Sequence, residues 1–334
     1  MLTFLYPPTI DWFYLYQRPQ QLFAAFARLG CKAIFCNYPH YIPQDSGVQL
    51  LAPGLFLVNR ADPNLVPRDE EPLLWITYPP HVRTLDRYPH RAVLFDAVDE
   101  PTEEFSHWQA SAAEIVDRSV LVFASSGKIV EYYAGFGRPV YLVPNGVDYE
   151  HFSQNKTAAV PFDLRRIPRP RVCYSGALAQ WVDWEMVADA ARQAPKISFV
   201  FVGPSLGALK LPAAPNLYYL GIKPYAVLPS YLHHCDVLMI PFRISSMTRA
   251  CNPIKFWEYL ATGIPIVSTS LPEVAAFEGV GIADGAAEFI EAIQAALATG
   301  QDQAAKAQRM KLARQNDWQQ RARTIISLIR QHGL

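Results

Sequence analysis

Lys255 and Glu258 stand three positions apart in CNPIKFWEYLATG, residues 251–263. On a helix rising 1.5 Å per residue they share one face, about 4.5 Å apart along the axis. An ammonium neutralises phosphate oxygens, and a carboxylate accepts bonds from both hydroxyls of a ribose. The pair therefore has the chemistry to hold a nucleoside diphosphate. The structural alternative is an ordinary i,i+3 ion pair on a surface helix. Phe256, Trp257, Tyr259 and Leu260 leave little room for a solvated face and favour a ligand.

Asn252 suits an N-cap, Pro253 the first helical position and Gly263 the residue just past the end, so the spacing predicts a helix over 253–262. It lies between two β-like runs, DVLMIPF and IPIVST. Its N-terminus then opens at the carboxyl edge of a parallel sheet, where the amides around Asn252, Pro253 and Ile254 and the helix dipole attract phosphate. Ser175 and Gly176 end an earlier strand, either letting phosphates approach the backbone or forming a plain tight turn. Gly221 to Tyr225 either hold a nucleobase, with Tyr225 stacking on it, or form a strand-to-helix turn in which Pro224 starts the helix.

A second cluster sits in the first loop, PPTIDWFYLYQRPQQ, where Asp11, Trp12, Arg18 and Gln20 crowd together. Trp12 can stack on a sugar ring, and the Arg18 fork can grip a phosphate or carboxylate. Ordinary loop packing is the alternative. The loop has no glycine cluster of the GxGxxG kind, which removes the main signal for a dinucleotide cofactor.

These residues need a scaffold, and the apolar patterning supplies one. LTFLY (2–6), PQQLFAAFARLG (19–30), AIFC (33–36), LLWITY (73–78), AVLFDA (92–97), a helix through 102–117 and SVLVFAS (119–125) alternate strand and helix. The rhythm repeats after residue 170 with RVCYSG, a helix near 184–194, ISFVFVG, NLYYLG, a helix near 225–234, DVLMIPF, the helix of the opening pair and IPIVST. Two doubly wound, Rossmann-like α/β domains follow, with a cleft expected between them. The stretch 153–171 loses periodicity and gains three prolines. It reads as a linker, giving domains 1–163 and 164–316 and a C-terminal helix 317–334 that packs back on the first domain.

At 334 residues the chain exceeds one ordinary domain, and its 30 basic residues balance 30 acidic ones, which disfavours nucleic acid as a partner. Five scattered cysteines give neither a zinc site nor a disulfide framework. No apolar run reaches the ~18 residues needed to cross a bilayer, and the N-terminus has no leader pattern. A cytoplasmic protein is expected. Segment 301–332 is helical in pattern, and between Lys306 and Arg330 it carries seven lysines and arginines against Asp317 alone. It reads either as a solvated face or as a peripheral contact with anionic lipid at the inner face of the membrane.

Together, NPIKFWEYLATGIPIVST, WFYLYQRPQQLFAAFARLG, FDAVDE, VPNGVD, YSGAL and YLGIKPYAVLPSYLHHCDVLMIPF, in this order around two Rossmann-like domains, resemble the GT-B glycosyltransferases. The likeness is to group 1, family 4-like bacterial enzymes of surface polysaccharides. It implies transfer of a sugar from a nucleotide donor such as a UDP- or GDP-sugar, held by the C-terminal domain, to a glycan, lipid-linked or other hydroxyl acceptor held by the N-terminal one. Glu258 matches the family's ribose-binding glutamate. Retaining relatives carry another glutamate where this chain has Ala250, and an arginine and lysine after the first C-domain strand, where YSGALAQWVDWE has neither. The pattern is closer to inverting relatives of the xanthan glucuronosyltransferase type. It shifts diphosphate neutralisation to Lys255, helped by Arg249 or Arg243.

An inverting transfer needs a base for the acceptor hydroxyl. Asp99, in the loop after AVLFDA, is the first candidate and Asp96, on that strand, the second. Capping of a helix beginning near Pro101 is the structural alternative for Asp99. No DxD pair suggests a metal, so a metal-independent, cofactor-free enzyme is expected. Two rival readings remain: a nucleotide-sugar-binding protein without turnover, and a nucleotide-sugar 2-epimerase.

Overall fold

The computed structural model describes residues 1–39, 45–154, 159–300 and 302–334. Its chain divides into two compact units. The first comprises Met1–Asn145, Ala250–Asn252 and Trp318–Leu334, and the second Gly146–Arg249 and Pro253–Asp317.

The first unit is built on eight strands: β1 (Thr3–Tyr6), β2 (Lys32–Asn37), β3 (Gly47–Ala52), β4 (Leu55–Asn59), β5 (Leu73–Ile76), β6 (Ala92–Ala97), β7 (Leu121–Ala124) and β8 (Val140–Leu142). They run in the order β3-β4-β2-β1-β5-β6-β7-β8, and every pairing is parallel except β3 with β4. Helices α1 (Arg18–Arg28), α2 (Gln109–Arg118) and α3 (Gly127–Ala134) are the crossovers that parallel pairing requires. All six residues of β6 are buried, as expected of a central strand covered on both faces.

The second unit has α4 (Tyr149–Phe152), β9 (Arg171–Ser175), α5 (Trp184–Gln193), β10 (Ser198–Val202), β11 (Leu217–Tyr219), α6 (Leu228–Leu232), β12 (Val237–Ile240), α7 (Ser246–Ala250, whose last residue groups with the first unit) and α8 (Ile254–Thr262). It continues through β13 (Ile266–Ser268), α9 (Pro272–Ala275), β14 (Val280–Ile282), α10 (Ala286–Thr299) and α11 (Gln303–Gln315). Its all-parallel sheet has the order β11-β10-β9-β12-β13-β14. The last helix, α12 (Trp318–Gln331), returns to the first unit and packs on α1.

The stretch expected to close the first domain groups with the second unit. His151 stacks on Tyr225 with ring centroids 4.4 Å apart, and Asp163 pairs with Lys223 at 2.7 Å. Leu164 and Ile167 are buried, so this part of the expected linker is anchored by its side chains. Residues 155–158 of that linker, and Gln301 at the head of the expected C-terminal helical segment, lie outside the described residues. No helix among the described residues is long and apolar enough to cross a membrane.

Candidate active site

Helix α8 starts one residue later than the spacing predicts. Pro253 occupies the N-cap, in extended conformation with no side-chain cap bond. Asn252 does not cap it because its side-chain oxygen accepts the Asn145 amide at 3.2 Å, while its carbonyl accepts Asn145 Nδ2 at 2.6 Å. The C-terminus ends as expected, with Gly263 in the left-handed region at φ +73°. Arg309 from α11 donates Nε and Nη2 to the Gly263 carbonyl at 3.0 and 2.8 Å, satisfying an end-of-helix acceptor. Phe256 through Thr262 are all buried, which overturns the surface-helix alternative.

At the other end of α8, Lys255 extends across the turn after β9. Its Nζ lies 4.7 Å from the Phe242 ring centroid and 5.2 Å from that of Tyr174. A Cβ added at Gly176, where φ is +141°, would come within 2.9 Å of Lys255 Cε. The lysine end could shift aside, so it is the positive φ that favours glycine here. The turn is braced from below, because the Ser175 amide donates to the Tyr259 hydroxyl at 2.7 Å and the Gly176 amide to the Val202 carbonyl at 2.9 Å. The structure thus brings Lys255, Ser175 and Gly176 together.

Glu258 is 8% exposed and, among the described residues, its carboxylate has no hydrogen-bond partner. Burial raises its pKa from 4.5 to about 7, with the Lys255 charge opposing the rise. The unfolded chain releases this proton near its ordinary value and the folded one near 7, so stability falls as pH rises between the two, and the cost is fully present above 7. At about 1.4 kcal/mol per pH unit that cost is roughly 3 kcal/mol. Glu258→Gln should therefore stabilise the ligand-free protein at pH 8 and leave it nearly unchanged at pH 4, as urea denaturation at the two pH values would show. A carboxylate kept at such expense is characteristic of a functional site.

The remaining donor-side candidates are placed differently. Arg249 and Arg243 are exposed. Tyr225 has one face covered by His151, whose Nε2 lies 3.0 Å from the Tyr225 carbonyl, and Phe152 meets it edge-on at 5.6 Å. Ala250, where retaining relatives have a carboxylate, is packed in an apolar cluster with Phe95 and Tyr133.

In the first unit the two candidate bases separate sharply. Asp96 is fully buried and engaged on both oxygens. Arg18 Nε lies 2.8 Å from Oδ2, Arg18 Nη2 lies 2.8 Å from Oδ1, and Trp75 Nε1 donates to Oδ2 at 3.2 Å. A carboxylate so committed has no lone pair aimed at an acceptor. Asp99 is only partly covered and, among the described residues, has no hydrogen-bond partner. Desolvation lifts its pKa from 3.8 to about 7. It does not cap the next helix, since Thr102 holds that position.

The three expected acceptor contacts prove to be internal. Arg18 also donates Nη1 to Asn145 Oδ1 at 3.1 Å and lies 5.9 Å over the Trp318 ring. Trp12 is 7% exposed, wedged edge-on against Phe35 and Tyr16. Gln20 is a clip, with its amide donating to the Leu15 and Asp11 carbonyls and its oxygen accepting the Gln17 amide. Asn145, absent from the sequence-based candidates, links Arg18 to Asn252 and accepts Arg321 Nε at its carbonyl. Its only signal was its place in VPNGVD. Tyr174 and Phe242, the rings beside Lys255, were likewise missed, since aromatic residues at strand ends read as core.

Comparison with known proteins adds a family to this geometry. Residues 169–299 match the family model described as glycosyl transferases group 1. A Bacillus subtilis protein named as a teichuronic acid biosynthesis glycosyltransferase, TuaH, is 28% identical over 271 residues, covering 73% of this chain and 68% of its own. Sucrose-phosphate synthase from Thermosynechococcus elongatus matches with TM-score 0.74 at 15% identity over 98% of both chains. Anabaena HepE in complex with UDP and glucose matches with TM-score 0.66 at 14% identity, over 99% of this chain and all of its own. The matches lend nothing to an epimerase or to a binding protein without turnover. The two parallel-sheet units have the GT-B fold, and the match of residues 169–299 and the likeness to TuaH both point to the glycosyltransferases.

Proposed function

We propose that the chain transfers a sugar from a nucleoside-diphosphate donor, with inversion and without a metal ion, to a hydroxyl of a glycan or lipid-linked glycan. The observation that carries this reading is the buried Glu258, without a hydrogen-bond partner among the described residues, on the helix whose first turn presents Lys255 across Gly176. Lys255 and the α8 N-terminus stabilise charge on the departing diphosphate, and Glu258 accepts the ribose hydroxyls. The acceptor oxygen bonds to the anomeric carbon as the carbon–oxygen bond to the diphosphate breaks. The electron pair leaves with the diphosphate, and the hydroxyl proton passes to Asp99. HepE, which has the same fold, has been captured with UDP, and TuaH is named for a bacterial surface polymer; both favour a uridine donor and a polysaccharide acceptor.

Calorimetric titration with UDP tests the donor half. Lys255→Ala should weaken UDP binding by roughly 10-fold or more, the loss of one charge-assisted contact of about 1.5–3 kcal/mol, and wild-type affinity should persist in excess chelator. Equal affinity in the variant, or binding abolished by the chelator, would remove the role given to Lys255.

Peripheral membrane contact is part of the same proposal. Of the seven basic residues between Lys306 and Arg330, Arg309 and Arg321 are committed to carbonyls, whereas α11 exposes Lys306, Lys311 and Arg314 and α12 exposes Arg323 and Arg330. Such charges bind anionic lipid in a salt-dependent way. Co-sedimentation with phosphatidylglycerol vesicles should fall when the five are replaced by Gln, and should be absent with phosphatidylcholine. Unchanged sedimentation would exclude this contact.

A further inference from the structure

The Lys255 ammonium lies against two aromatic rings as well as within the field of Glu258. Phe242 follows β12 and is 3% exposed, and Tyr174 on β9 is fully buried. The two rings are themselves packed 6.3 Å apart at 60°. The Tyr174 hydroxyl donates to the Ala177 carbonyl at 2.8 Å, which ties its ring to the same turn that Lys255 crosses. Gly176 leaves room for this arrangement, since a Cβ there would come within 2.9 Å of Lys255 Cε and displace the ammonium.

We infer that Phe242 and Tyr174 are positioning residues for the donor: a two-ring cage that fixes the Lys255 ammonium over the Gly176 turn, so that it meets the diphosphate already oriented. The inference rests on the donor-site reading above. A lysine stem has four rotatable bonds and loses much rotamer freedom on binding a ligand. Rings placed within about 6 Å attract the ammonium through their quadrupoles and restrict that freedom before the ligand arrives. Unlike a carboxylate, a ring does not compete for the ammonium's charge with the phosphate oxygens.

The cage is separable from ordinary packing by coupling. Phe242→Leu keeps apolar bulk but removes the ring, and should weaken UDP binding about fivefold, the effect of one such contact. In a Lys255→Ala background the same change should alter affinity by less than about twofold, because the ring then has no cation to hold. Stepwise fluorination of Phe242, which drains the ring face of negative potential at nearly constant shape, should raise the UDP Kd with each added fluorine. An equal loss from Phe242→Leu in both backgrounds, or a Kd indifferent to fluorination, overturns the cage and leaves the donor site standing. A Lys255→Ala variant that binds UDP normally sinks both.

Discussion

Asp99→Asn should leave UDP affinity within about twofold of wild type and lower turnover by roughly 10²–10⁴, the usual range for a lost general base. The asymmetry follows from placement. Asp99 sits in the loop beyond β6, in the first unit, and makes no hydrogen bond to the protein among the described residues. Replacing it with a neutral isostere therefore breaks no contact and relieves a desolvated charge. Its chemistry is another matter. Burial holds its pKa near 7, which suits a base working close to neutrality: basic enough to take a proton, yet ionised often enough to act. Turnover should rise with pH through about 7 and level off above it, because the carboxylate acts only when deprotonated. The pH profile of kcat for wild type and Asp99→Asn checks this. A variant with wild-type turnover, or one that keeps the same rising limb, would assign the base elsewhere.

Arg18→Ala should cost about 3–5 kcal/mol of stability, the effect of removing one partner of a buried ion pair. The Asp96 carboxylate is fully buried and, among the described residues, would retain only the Trp75 indole as a donor. Asn145 would also lose its link to the pair. Replacing both charges, as in Arg18→Met with Asp96→Leu, should recover much of the loss, because the main cost is an uncompensated charge in an apolar interior. Urea denaturation of the two variants gives the comparison. A single variant within about 1 kcal/mol of wild type would mean that the pair contributes little to the first unit.

The contrast between Asp96 and Asp99 also shows where the sequence was readable. Fully buried parallel strands such as AVLFDA at β6 and RVCYS at β9 stand out as continuous apolar runs. Helix α8 was legible because proline and glycine punctuate it. The edge strand β3 leaves Val48 and Leu50 exposed, so its pairing with the apolar run of β4 could not be read from core patterning. Arg18 and Asp96 were each legible as reactive groups, yet they lie 78 residues apart and neutralise one another. Pairing at that separation depends on the order of strands in the sheet, which local spacing does not encode. The same holds for Asn145 and Asn252, 107 residues apart, whose mutual bonds draw Asn252 away from the cap of α8. Lys255 and Glu258 escaped this difficulty because one short helix carries both, so their spacing alone placed them.

The most direct test is a crystal structure with an intact UDP-sugar bound. Diphosphate oxygens within hydrogen-bond distance of Lys255 Nζ and the first amides of α8, with both ribose hydroxyls on Glu258, are the predicted result. A diphosphate lodged away from α8, with Lys255 still turned to its two rings and Glu258 untouched, would contradict the account.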